Sequence, residues 1–224
     1  MFSRFISITS FITIAFAGNC CITCNKKVQE GIYSSTFYPN LLTLLSAFIV
    51  LALIAGVFSW LSARRYRHVL LSPVPLWSAA MVLGIGLGGF ADGIVLHQLL
   101  QWHEMLSHKI APGSYETKSI NMFWDGIFHL FTWIVTLTGI ILLWKTTGRA
   151  AVNHSGYVLS GGLLQGWGLF NIVEGIIDHH LLELHYVNEY SPHPQAWNIG
   201  FLIFSLILLL AGWLLVKRGK AVIR

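Results

Sequence analysis

Gly88-Gly89-Phe90-Ala91-Asp92-Gly93-Ile94-Val95-Leu96-His97-Gln98-Leu99-Leu100-Gln101-Trp102-His103 ends a long apolar run, and its last twelve residues recur 82 positions later. The second copy, Glu174-Gly175-Ile176-Ile177-Asp178-His179-His180-Leu181-Leu182-Glu183-Leu184-His185, aligns on Asp92–His103 without a gap. Six of the twelve positions are identical, two of them histidines. The shared frame is an acid followed by glycine, a histidine five residues after the acid, and a second histidine six later. Burying an acid and two imidazoles in an apolar segment costs several kcal/mol unless they are paired, neutral or bound to a cation. The repeat therefore bears on both fold and chemistry: duplicated helices, with reactive groups where each copy ends.

The 224-residue chain is 55% hydrophobic and 10% charged, with a mean hydropathy of +0.66. Soluble domains carry about 25% charged residues, so this is membrane composition. The net charge of +5 does not point to nucleic acid, because the basic residues flank apolar runs as orientation signals do. Roughly 20 apolar residues cross the hydrocarbon core, which predicts spans at Leu41–Trp60, Pro75–Leu100, Met122–Trp144, Gly156–Leu182 and Trp197–Val216. A shorter run, Phe5–Gly18, reads equally as a signal-peptide apolar region or a span. Cys20, Cys21 and Cys24 follow it, and Cys21-Ile-Thr-Cys24 alone is a weak metal or disulfide motif.

The predicted fold class is all-α: a polytopic membrane protein with a four-helix transmembrane bundle built from two duplicated hairpins, plus one or two N-terminal transmembrane helices. The duplicated domain is predicted at 75–217, with hairpins 75–146 and 155–217. Residues 1–38 form a signal-like or membrane segment with a cysteine-containing outer loop. Residues 39–68 form an additional span and its basic loop.

Basic clusters fix the expected orientation. Arg64, Arg65 and Arg67 follow the first confident span, Lys145 and Arg149 the third, and Lys217, Arg218, Lys220 and Arg224 the last. The positive-inside rule places all three segments, and the C-terminus, in the cytoplasm. Both copies of the motif then end at the outer face.

The second helix of each hairpin extends the pattern. Trp124-Asp125-Gly126 parallels Trp197-Asn198, and Leu202 stands where His129 would be. The scaffold is thus duplicated but the chemistry is not. Gly84, Gly86, Gly88 and Gly89 precede the first motif and Gly161, Gly162, Gly166 and Gly168 the second, as small residues do where membrane helices meet closely.

Between Ala150 and Val216 there is no lysine or arginine, yet Glu174 and Asp178 lie there. Asp92 and Asp125 also lack a basic partner within their spans. Such acids must be neutral, face water, pair with histidinium or bind a cation. Imidazoles beside them favour a transition metal, copper or iron foremost and zinc as a further option. The expected metal-ligand pool is Asp92, His97, His103, Asp125, His129, Glu174, Asp178, His179 and His185, with His97, His129 and His179 its strongest members. On a regular helix His97 and His179 would lie about 140° from their acids. Either each motif serves two contacts, or a π-bulge near Gly93 and Gly175 turns both groups inward. His68, His154 and His193 read as solvated loop residues and His108 as an ordinary surface histidine.

These motifs, Asp92-Gly-x3-His97-x5-His103, Asp125-Gly-x2-His129 and the second copy through His185, resemble a family of bacterial predicted membrane proteins known only as a domain of unknown function. The resemblance spans about Trp77 to Val216. It implies a four-span domain of the bacterial inner membrane and carries no established activity. It also implies a neighbourhood of respiratory oxidase assembly factors, which favours copper. The expected function is a metal-dependent redox enzyme or metal-handling factor on the periplasmic side. A b-type cytochrome binding haem and a proton- or cation-coupled transporter are the competing expectations.

Overall fold

The computed structural model describes residues 25–34, 41–64 and 71–221. The Phe5–Gly18 run, the three cysteines and His68 lie outside the described residues. Within them there are seven α-helices: α1 (Lys26–Tyr33), α2 (Leu41–Leu44), α3 (Ser46–Ala63), α4 (Val74–Asp92), α5 (Tyr115–Thr147), α6 (Gly156–Glu174) and α7 (Pro194–Ala221). Two π-helices, π1 (Gly93–Leu99) and π2 (Gly175–Leu181), continue α4 and α6. No strand occurs among the described residues; one isolated bridge joins Ser72 to Val152. The chain is an all-helical, multi-pass membrane protein.

Four helical stretches are long and apolar enough to cross a membrane: Ser46–Ala63, Val74–Leu99, Tyr115–Thr147 and Pro194–Lys220. The expected fifth span is a helix of the right length, α6 with π2, but it is not among the four. The reason lies in its neighbours. It packs between α4 and α7 and buries Gly161, Gly162, Gly166, Gly168 and Asn171 where an outer helix would carry leucine or isoleucine. Helix α4 is similarly central, with 61% of its most apolar window buried against 22% for α5 and α7. The outer helices present bare apolar side chains instead, such as Ile140 and Ile141 on α5 and Ile203 and Leu206 on α7, as lipid contact requires.

The central contact is between the two copies of the same helix. A Cβ on Gly84 would stand 2.3 Å from the Leu163 carbonyl oxygen, and one on Gly166 would stand 2.3 Å from that of Met81. Only glycine lets the backbones meet this closely. Each central helix then receives its hairpin partner through a matched contact: Gly139 of α5 abuts Leu83, and Gly212 of α7 abuts Gln165. The pairs Leu83/Gln165 and Gly139/Gly212 occupy corresponding positions of the two copies.

Helix α5 begins at Tyr115, seven residues before the expected Met122. Ser114 and Thr117 form a reciprocal capping box there, which satisfies two backbone amides that would otherwise end the helix later. Helix α1 packs on α5, and α3 packs mainly on the first hairpin, reaching α6 and π2 at its edge but not α7. Val28, Phe48, Leu51 and Ala55 join that hairpin's core, so one flank of the bundle is covered and the other is not.

Candidate metal centre

The site forms where α4 and α6 turn into π-helices. A regular helix would leave His97 and His179 facing away from their acids; the i→i+5 repeat of a π turn brings residues five apart to one face. His97 Nε2 accordingly lies 3.0 Å from Asp92 Oδ2, and His179 Nε2 lies 3.6 Å from Glu174 Oε1. Gly93 permits this locally, since a Cβ there would stand 2.3 Å from the His129 ring. In the second copy Gly175 abuts Leu202 instead. Of the two readings left open by the spacing, the structure contains the π-bulge.

Both π-helices end the same way. Leu100 N–H donates to the Val95 carbonyl and Leu182 N–H to that of Ile177, and the next residues, Gln101 and Glu183, take φ of 50° and 49°. A left-handed non-glycine residue costs roughly 1–2 kcal/mol, and it occurs at the same place in each copy. The turn sends each chain back across the bundle end, bringing His103 and His185 face to face with rings stacked 4.5 Å apart.

A set of exchanged hydrogen bonds holds that pair. His103 Nδ1 lies 2.9 Å from the Val187 carbonyl oxygen and His185 Nδ1 lies 3.0 Å from that of Met105. A carbonyl can only accept, so each Nδ1 carries the proton and each Nε2 keeps a lone pair. The residues that supply these accepting carbonyls are themselves tied down: Met105 N–H donates to Asp125 Oδ1 and Val187 N–H to Asn198 Oδ1. Asp125 Oδ1 also accepts from His97 Nδ1 at 2.9 Å, which aims the third imidazole's Nε2 inward.

The result is a group of four buried side chains, His97, His103, Glu174 and His185, each offering one ligand atom, all within 4.8 Å of one another. Asp92, Asp178 and His179 border it. Across these seven residues ten buried nitrogen and oxygen atoms make no hydrogen bond among the described residues, although Asp92 Oδ2 with His97 Nε2, and His179 Nε2 and His185 Nε2 with Glu174 Oε1, lie at ion-pair distances of 3.0–3.6 Å. Each wholly unsatisfied group costs about 1–3 kcal/mol, so the atoms left without even an ion-pair contact represent a large fraction of the roughly 5–15 kcal/mol by which a typical domain is stable. A cation held by the four converging ligand atoms would remove their share of that penalty, and the donor set fits one. Burial, then the neighbouring imidazoles of His97, His185 and His179, hold His103 well below the usual histidine range. Burial likewise pushes His185 down, against the pull of Glu174. Both are therefore neutral, as metal-binding histidines must be.

The expected ligand pool divides in space. His97, His103, Glu174 and His185 converge. Asp92, Asp178 and His179 are buried beside them. Asp125 acts from behind His97, and half-buried His129 lies on the flank of π1, tilted against Phe90 and Phe128. The weight placed on His129 over His103 and His185 thus differs from the geometry: a helix-end position says nothing of the left-handed turn that folds those residues inward. His180 turns away, with Nδ1 2.7 Å from the Gly175 carbonyl oxygen, and His108 is a partly exposed neighbour of Glu189. Sequence reasoning missed the roles of the Met105 and Val187 carbonyls, which no side chain advertises. It also read Asn198 as a lost acid, when it still ties the loop.

Comparison with curated proteins and with solved structures finds no match to either. Residues 79–219, which contain every residue of the centre, match the model of a family described as predicted membrane protein (DUF2243). The chain belongs to that family of predicted membrane proteins.

Proposed function

We propose that this membrane protein binds a transition metal ion through His97, His103, Glu174 and His185. The observation that carries the reading is the pairwise exchange of hydrogen bonds that leaves two stacked, neutral imidazoles with their Nε2 lone pairs beside one carboxylate. Metal-ligating histidines characteristically donate their other N–H to a carbonyl or carboxylate, and all three here do. Three imidazoles and a carboxylate suit iron, copper or zinc; the bordering Asp92, Asp178 and His179 leave room for a change of coordination or a second ion. The positive-inside pattern supports an outward-facing, periplasmic centre with the C-terminus in the cytoplasm of a bacterial inner membrane. In this reading the protein is a metal-dependent redox enzyme or a metal-handling factor serving respiratory complexes.

The haem alternative is disfavoured by the His103–His185 stack, because parallel rings 4.5 Å apart leave no space for a porphyrin between them. A transport pathway is disfavoured by the glycine contact of α4 with α6, which closes the bundle centre. X-ray absorption at the metal edge of the purified protein tests the assignment. The expected first shell is nitrogen and oxygen at about 2.0–2.2 Å. Sulfur scatterers at about 2.3 Å would move the metal to the cysteines and refute the reading.

A further inference from the structure

The two flanks of the centre are unequal. On the first-hairpin side, Phe128 and Phe131 of α5 are covered by Phe48 of α3, whose ring stacks on theirs at centroid distances of 5.9 and 5.1 Å. Their counterparts on α7 are Phe201 and Phe204, and no helix among the described residues covers them. They line an apolar cleft of about 690 Å³ between π1, α6 and α7, within the roughly 300–1,000 Å³ of small-molecule sites. Its rim is formed by exposed side chains of spanning helices, Val95, Trp197 and Phe204, so it opens sideways toward lipid.

The cleft's inner wall is not apolar. Asp92 and Asn171 line it, both buried; Asp92 Oδ1 and Asn171 Oδ1 have no hydrogen-bond partner among the described residues, while Asp92 Oδ2 faces His97 Nε2 at 3.0 Å. These are acceptors. Asn171 has no counterpart in the first copy, where Gly89 stands. A molecule that fits must be lipid-soluble, must present a flat ring to Phe201, Phe204 and Trp167, as Phe48 does on the other flank, and must donate hydrogen bonds at its inner end.

We propose that this cleft is a binding site for a lipophilic phenol or hydroquinone, entering from the bilayer and hydrogen-bonding to Asp92 and Asn171. The site is separate from the four converging ligand atoms but adjoins their surroundings through Asp92, through Val187, whose carbonyl holds His103, and through Phe201, which packs on His179.

Gly200 gives a clean test, because it lines the cleft and a Cβ there meets nothing within 4 Å. Gly200→Phe therefore fills the cleft without moving the centre. Gly126→Phe, equally unobstructed but away from the cleft, is the control. Decylhydroquinone titrated into the detergent-purified full chain is expected to quench tryptophan fluorescence saturably. The affinity should fall at least tenfold in Gly200→Phe and stay unchanged in Gly126→Phe. The dimethyl ether of the same compound, which has no donor, should compete at least tenfold less well. Absence of saturable quenching, or unchanged affinity in Gly200→Phe, overturns the site. Equal competition by the ether overturns the hydroquinone assignment and makes the cleft a seat for any apolar chain. Ala196→Trp, also in the cleft, replaces Gly200→Phe if that variant fails to fold. Metal content measured on the same samples keeps the two proposals separable, since Gly200→Phe should retain its ion.

Discussion

His185→Ala is expected to lower metal affinity by at least about 100-fold, measured by competition with a chromophoric chelator on the detergent-purified protein. The magnitude follows from comparison: losing only the group that orients a ligand typically costs roughly 10–100-fold, and this change removes a ligand atom itself. It also strands the Met105 carbonyl that His185 Nδ1 now satisfies, and it leaves His103 without its stacking partner. His103→Ala should behave alike, because the two residues hold equivalent positions in the repeat. The informative control is His180→Ala. That imidazole is five residues away in the same segment, yet it bonds the Gly175 carbonyl oxygen and lies outside the four-residue group, so its loss should leave metal affinity within about twofold. A His180→Ala loss as large as that of His185→Ala would mean that the pairing of stacked imidazoles has been assigned to the wrong residues.

The second large effect separates aiming from binding. Asp125 contacts His97 Nδ1 and the Met105 amide through one oxygen. Asn198 already shows what asparagine does at the equivalent place: it accepts from the Val187 amide and donates to the His179 carbonyl. Asp125→Asn should therefore keep the loop tied while weakening the negative partner of His97. We expect metal affinity to fall about tenfold with little change in thermal unfolding. Asp125→Ala should lose metal more severely, and it should also destabilise the fold by about 1–3 kcal/mol, because it leaves the buried Met105 N–H unsatisfied. Paired melting curves and chelator titrations check both. If Asp125→Asn destabilises the protein as much as Asp125→Ala, the carboxylate is structural and its role toward His97 falls.

Much of this architecture was legible in the residues. The repeat, the apolar runs and the glycine series announce duplicated helices meeting closely, and the acids without lysine or arginine partners mark where the buried histidines and carboxylates gather. The five-residue spacing between acid and histidine raises the π-helix as one of two options, because a regular helix would part the two groups. The remainder depends on backbone conformation that side-chain patterns do not encode. Gln101 and Glu183 are ordinary polar residues, and nothing in their identity foretells the left-handed turn that swings His103 and His185 over the bundle end. The Met105 and Val187 carbonyls that fix the imidazole tautomers are invisible for the same reason. The apolar-length rule predicts Gly156–Leu182 as a span, but α6 is less apolar than its neighbours because it is shielded by protein, where glycines and Asn171 replace lipid-facing leucine and isoleucine. His129 lies one turn after Asp125 on α5, which places its ring beside Gly93 and outside the converging group.

The central claim is that four side chains from the two copies hold one ion, and the metal content of the protein as isolated from membranes tests it most directly. Elemental analysis of the wild-type chain should find about one transition metal ion per polypeptide. The His103→Ala/His185→Ala double variant, prepared in parallel and shown to be folded, should carry almost none. Substoichiometric metal in the wild type, or equal occupancy in both proteins, would contradict the account.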